Sequence, residues 1–247
     1  MKKQTSILAL AAFVAFSTIS HPAICQLDAL KATALKAKNA YKGQSKLSNE
    51  DVVNGLKEAL NVGTNKSTTA ASQTDGFYKN AKIKIPFPAE ALEVKNTIDK
   101  LGMSSETEKF VETMNRSAED ASKSAAPIFI DAIKNMSLQD GFAILNGGDS
   151  AATTYLRVKT TEQLTQALKP IIKAAIEKNE VAKYWSPVVN KYNKIPFTKK
   201  YNPDLEAYIT QKTLDGLFVL IAEQEGFIRK NPSAQVSDIL KRVFGAK

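Results

Sequence analysis

The chain has 247 residues, 43% of them hydrophobic, which is enough for a sizeable core, and 34 Lys and Arg against 25 Asp and Glu give a formal net charge of +9. The single histidine and single cysteine, His21 and Cys25, lie close together near the N-terminus. If that end is removed as a signal, the remainder has no disulfide, no cysteine nucleophile, no Ser-His-Asp arrangement and no zinc site of the His/Cys type, so an enzyme would need paired acids, a Ser-Lys arrangement or an oxygen-bound metal.

In chain order, Lys2 and Lys3 precede the apolar run "ILALAAFVAFSTI". The run from Ile7 to Ile19 is shorter than the roughly 20 residues that span a bilayer, so residues 1–25 read as a cleaved secretory signal. Ala23 and Cys25 supply the small residues before a cut after Cys25. A lipid-modified Cys25 competes with this reading, but Ile24 is large where lipoprotein signals take a small residue. The expected destination is the periplasm or the envelope, and nothing after residue 25 is apolar for long enough to cross a membrane. A basic mature chain favours an anionic partner, either glycan or lipid, and outside the cytoplasm nucleic acid is the least expected.

Residues 26–46 read as a helical or flexible lead-in, and residues 47–245 as one helical domain. Val52, Val53, Leu56 and Leu60 recur at helical spacing behind Ser48 and Asp51, which have the spacing of a capping box. "DGFYKNAKIKIPFP" (75–88) alternates Ile83 and Ile85 with Lys82 and Lys84 and stops at prolines, predicting a short extended arm or hairpin. Ser105 and Glu108 then suggest a second capping box, opening a long helix through Met136 that bends near Pro127. On it, Asn115 and Glu119 share a face, with Arg116 able to reach Glu112 or Asp120. They read either as a polar layer that locks helix register or as the wall of a polar pocket.

"LNGGDSAATTYL" (145–156) reads as a joint between two helices. Gly147 and Gly148 stand where a left-handed residue would end one helix, and Asp149 or Ser150 stands where a cap would start the next. Thr153, Thr154 and Tyr155 put polar atoms near that joint, a candidate pocket if the fold sets them opposite Asn115 and Glu119. Ser137 and Asp140 form a further capping pair, and Leu164, Leu168, Ile171, Ile172 and Ala175 mark a helix with Pro170 inside it.

The stretch 183–208 interleaves Tyr184, Trp185 and Tyr192 with lysines that include Lys199 and Lys200. It reads as a surface that grips a sugar or an anionic headgroup, or as a connector draped over the bundle. From about Pro203 to Arg229 a helix is expected whose stretch 214–222 is apolar nearly all round and therefore central, with Gly216 marking close approach of another backbone and Asp215 either pointing outward or pairing with Lys212. Val236, Ile239, Leu240 and Val243 form a final amphipathic stripe.

The blocks "GLKEAL", "IKIPFP", "MNRSAEDA", "DGFAILNGGDSAATTYL", "YITQKTLDGLFVLIAEQEGFIRKNP" and "LKRVFG" occur in this order from Leu47 to Gly245. In them the chain resembles the bacterial domain-of-unknown-function 4197 family. The resemblance implies an exported, mainly helical bacterial protein and brings no activity, cofactor or catalytic residues. The expected fold is thus mainly α, a single multi-helix, bundle-like domain with one short arm. The expected function is a non-catalytic binding or scaffold role at the envelope. Two alternatives stand beside it: a carboxylate-based hydrolase of a cell-wall glycan drawing on Asp140, Asp149 and Asp215, and a carrier of lipid or a small apolar ligand.

Overall fold

The Ser48 hydroxyl accepts from the Asp51 N–H at 3.0 Å, and the Asp51 carboxylate accepts from the Ser48 N–H at 3.0 Å. This capping box satisfies otherwise orphaned donors and opens α1, Asn49–Ser72. The computed structural model describes residues 48–197 and 204–231, all within the unit Leu47–Lys247. The expected signal, the lead-in, Lys199, Lys200 and the stripe from Val236 to Val243 lie outside the described residues.

Seven further α-helices follow among the described residues. They are α2 (Leu92–Lys100), α3 (Ser104–Ser122), α4 (Ala126–Lys134), α5 (Leu138–Asn146), α6 (Ala151–Lys178), α7 (Val181–Asn193) and α8 (Leu205–Lys230). The fold is mainly α, as expected, and no strand occurs among the described residues.

The long helix expected from Ser105 to Met136 is two helices. Helix α3 ends at Ser122 and α4 starts at Ala126, with Pro127 in its first turn, where the missing proline N–H has no intrahelical partner to lose. The Ser105–Glu108 capping box does not form either. Helix α3 starts at Ser104 with Met103 in the capping position and no side-chain cap, so Ser105 is already inside the helix, and Glu108 instead accepts from the Tyr78 hydroxyl of the arm at 2.7 Å. Pro170, by contrast, sits inside an unbroken α6.

Helix α8 is central, packing against α1, α3 and α6. Leu214, Leu217, Phe218 and Ile221 are buried along it, and the Phe218 ring meets Phe129 of α4 edge-on at 5.6 Å. Its burial is not complete all round: Val219 is 38% and Phe227 51% exposed, one turn and three turns beyond Asp215 on an open face. Gly216 does mark a close approach, but by side chains rather than by backbone. A Cβ there would stand 2.6 Å from Cε1 of Phe77 and 3.2 Å from Cβ of Ile83. Asp215 pairs with Arg157 of α6 at 3.5 Å and accepts from Gln211 at 3.2 Å, not from Lys212.

Residues 77–87 form the arm, which is extended only in part: it opens as a run of turns, in which the Ile83 and Lys84 N–H groups donate to the Asn80 carbonyl at 3.1 and 2.8 Å, and only residues 84–86 leave the turns, without a pairing strand among the described residues. Ile83, Ile85 and Phe87 point into the core while Lys82, Lys84 and Pro86 stay exposed, the two-residue period read from the sequence. A hairpin is unnecessary because side chains of α3 satisfy the arm's backbone, as described next.

Candidate functional site

Asn115 is fully buried on α3, and its amide faces the arm edge-on. Oδ1 accepts from the Ile85 N–H at 2.8 Å and Nδ2 donates to the Ile85 carbonyl at 2.9 Å. One turn on, Glu119 Oε1 accepts from the N–H groups of both Phe77 and Tyr78, at 3.0 and 3.1 Å. A planar amide and a carboxylate thus do what a neighbouring strand would do, binding backbone independently of the arm's side chains. Arg116 completes the layer by donating to Glu119 at 2.9 Å and to Asp75 at 2.7 Å; Glu112 is a more distant partner, and Asp120 is taken by Lys123 and Lys178.

The turn that launches the arm is equally constrained. Asp75 adopts a left-handed backbone (φ 69°), unusual for a residue with a side chain, and Lys79 and Arg116 both bond its carboxylate. At Gly76 a Cβ would fall 2.3 Å from the Ala70 carbonyl oxygen, so only glycine fits. The hydrogen bonds from Lys79 and Arg116 hold the Asp75 carboxyl below its usual value. Donation to Glu108, with burial adding to it, pushes the Tyr78 hydroxyl up to about 12.

The joint at 145–156 departs from expectation in both details. Gly147 lies in extended backbone (φ −81°, ψ 175°), and Gly102 is the left-handed glycine of the described residues. Gly147 is needed for space: a Cβ would meet Ala151 Cβ at 2.5 Å. Neither Asp149 nor Ser150 caps α6, since Ser150 precedes the helix without a side-chain cap bond. The acceptor comes from α8 instead. The buried Glu225 takes the N–H groups of Ala152 and Thr153 at 2.9 and 2.8 Å and the Thr153 hydroxyl at 2.7 Å. Arg229 holds the same carboxylate at 2.8 Å and donates its other hydrogen to the Ile144 carbonyl at the end of α5. One Glu-Arg pair therefore closes two helix ends, placing negative charge at the positive end of α6.

These partners separate the residues grouped earlier. Asn115, Arg116 and Glu119 face the arm, whereas Thr153 faces Glu225; Thr154 is exposed, and Tyr155 is half-buried with the Lys159 ammonium 5.8 Å from its ring centre. In the aromatic stretch, Trp185 and Tyr192 are buried. Trp185 stacks on Phe110 at 4.6 Å and tilts against Phe87 of the arm, so the indole is a core side chain and offers no open face. Tyr184 is half-buried, with Lys183 at 5.6 Å from its ring. Of the three aspartates, Asp140 is used in the Ser137 capping box, Asp215 meets Arg157, and Asp149 is exposed.

The open face of α8 and the arm beside it form a trough. At one end Lys82, Lys84, Pro86, Lys212 and Asp215 surround a recess of about 160 Å³. At the other, Val219, Ala222, Phe227, Lys230 and Asn231 line a broad groove of about 680 Å³. Lys82 and Val219 belong to both, and Lys82 pairs across the trough with Glu223. The two arm lysines at the recess are held by exposed ion pairs, Lys82 with Glu223 and Lys84 with Glu108 at 3.5 Å, and Lys84 also lies 4.5 Å from the centre of the Tyr78 ring. Exposed pairs of this kind are worth about 0 to 1 kcal/mol, so an incoming anion can exchange with the carboxylates at little cost.

Glu225, Arg229 and the lysine rim were not singled out in the sequence. Glu225 and Arg229 have the i, i+4 spacing of an ordinary helix-surface pair, and what makes them different is the start of α6, which only the fold brings to them. Lys82 and Lys84 were visible as the outward half of the arm's alternation.

A family model described as a protein of unknown function (DUF4197) matches residues 46–245. Neither the curated proteins nor the solved structures contain a match to the chain.

Proposed function

The chain belongs to the DUF4197 family, and because membership supplies no activity, we propose from the site itself a non-catalytic binding role at the cell envelope, with an anionic group of a lipid or glycan held at the lysine-rimmed recess. The signal-like first 25 residues support export. The observation that carries the non-catalytic part is the use already made of the buried acids. Glu119 is spent on the arm's backbone and Arg116, and Glu225 on the start of α6 and Arg229. A glycosidase needs two carboxyls facing one cleft, and these two face different backbone segments.

The recess suits an anion better than a neutral ligand because Lys82, Lys84 and Lys212 line it beside Asp215, and the Glu223 and Glu108 carboxylates that pair with the first two do so through exposed contacts that an anion can replace. Co-sedimentation of the mature protein with phosphatidylglycerol vesicles, and separately with purified peptidoglycan sacculi, tests the reading and distinguishes the two sources. Binding to one of them should weaken severalfold in the variant Lys82→Gln, Lys84→Gln, Lys212→Gln and decline with added salt. Retention by neither, or equal retention of the variant, would overturn it.

A further inference from the structure

We propose that the groove at the Phe227 end of the trough is the seat of the chain's own C-terminal segment, residues 232–247, which folds back along α8. The groove's apolar positions follow one helical face: Val219, Ala222, Gly226 and Phe227 step by three, four and one, and where Gly226 lacks a Cβ there is open space. Two large side chains on this face, Val219 and Phe227, are left 38% and 51% exposed on a helix otherwise built into the core.

The chain supplies a matching cover directly. Asn231, the last described residue of α8's exit, itself lines the groove, and Pro232 follows, which has no N–H with which to extend the α8 hydrogen-bond ladder. After it, Val236, Ile239, Leu240 and Val243 repeat at three and four, giving an apolar stripe about 10 Å long at 1.5 Å per residue. Val219 and Phe227 are about 12 Å apart on the same measure, so stripe and groove differ in length by about one residue. A turn at Pro232 and Ser233 would lay them antiparallel, with Val236 beside Phe227 and Val243 beside Val219. The family match runs to residue 245, so this segment is part of the shared domain and not an appended tail. The assignment is independent of the envelope reading, since it concerns the opposite end of the trough and needs no outside partner.

Paired cysteines in the full chain carrying Cys25→Ser test it. Phe227→Cys with Val236→Cys, and Val219→Cys with Val243→Cys, should each close an intramolecular disulfide under mild oxidation. Val158→Cys with Val236→Cys, which uses an exposed position of α6, should not. As a second readout, Ile239→Glu with Leu240→Glu should raise binding of anilinonaphthalenesulfonate severalfold by uncovering Val219 and Phe227. Disulfides that link two chains would assign the groove to a second copy and overturn the proposal. Failure of both groove pairs to close, with unchanged dye binding in the acidic variant, would overturn it as well.

Discussion

Asn115 and Ile85 are joined through both amide atoms of the asparagine side chain and both backbone polar groups of the isoleucine, at 2.8 and 2.9 Å in a fully buried site. Asn115→Ala would leave the Ile85 N–H and carbonyl buried without partners, at a cost of about 2 to 4 kcal/mol. Asn115→Asp keeps the acceptor and loses the donor, so it should fall between wild type and alanine. Denaturant unfolding gives the order, and hydrogen exchange at the Ile85 amide should quicken in the alanine variant before global stability is lost.

Glu225→Gln replaces a carboxylate facing three donors at the start of α6 and the Arg229 guanidinium by an amide that brings donors of its own. A loss of about 2 to 4 kcal/mol is expected, and Arg229→Met alone should cost about as much by leaving Glu225 buried without its counter-ion. Because the two residues share one set of contacts, the double variant should lose less than the sum of the singles. Additive losses in a double-mutant cycle would contradict the shared cap.

At Gly216 an added methyl meets the Phe77 ring, so Gly216→Ala should destabilise by about 1 to 3 kcal/mol despite alanine's better helix propensity. Phe77→Leu in the same chain makes room and should recover part of that loss relative to Phe77→Leu alone. Thermal unfolding of the four proteins decides it.

The acid limb of stability follows from carboxyls held below their usual 3.8. Asp75 is lowered by hydrogen bonds from Lys79 and Arg116, and Asp140 by those from Ser137. At Asp120 bonds from Lys178 and Lys123 outweigh the opposing effect of burial. A carboxyl whose folded pKa lies below its unfolded one contributes fully above the unfolded value and loses that contribution as pH falls through the folded value. The melting temperature should therefore hold steady at mildly acidic pH and drop below about pH 4.

Tyr78 has the opposite sign, being raised from 10.0 to about 12, so its contribution is complete below 10.0 and is lost as pH climbs toward 12. Tyr78→Phe should remove that alkaline loss and leave the acid limb as it was. Phenolate absorbance should show one fewer late-titrating tyrosine.

What the sequence made legible was mostly local. The capping boxes at Ser48 and Ser137, the arm's alternation and the central place of α8 all depend on residues a few positions apart, and all four are present. Most misreadings share a cause in distant competition. Ser150 was free to cap α6 until Glu225 supplied the acceptor, whereas the Ser105–Glu108 box fails locally, because α3 starts earlier and already contains Ser105. Trp185 and Tyr192 looked like a surface because composition cannot show that Phe87 and Phe110 come to meet the indole. The pairing of Asn115 and Glu119 on one face was visible, but their partner, the backbone of the arm, carries no side-chain signature to read.

The start of α6 waits for a residue 73 positions further along. While the polypeptide is being made, α6 has its own sequence long before it has its acceptor, and its first turn can be completed only when nearly all of α8 has been synthesised. Order of manufacture and order of closure are thus opposed. A chain halted short of Glu225 should carry a frayed α6, and the last described helix acts as the clasp for one made well before it.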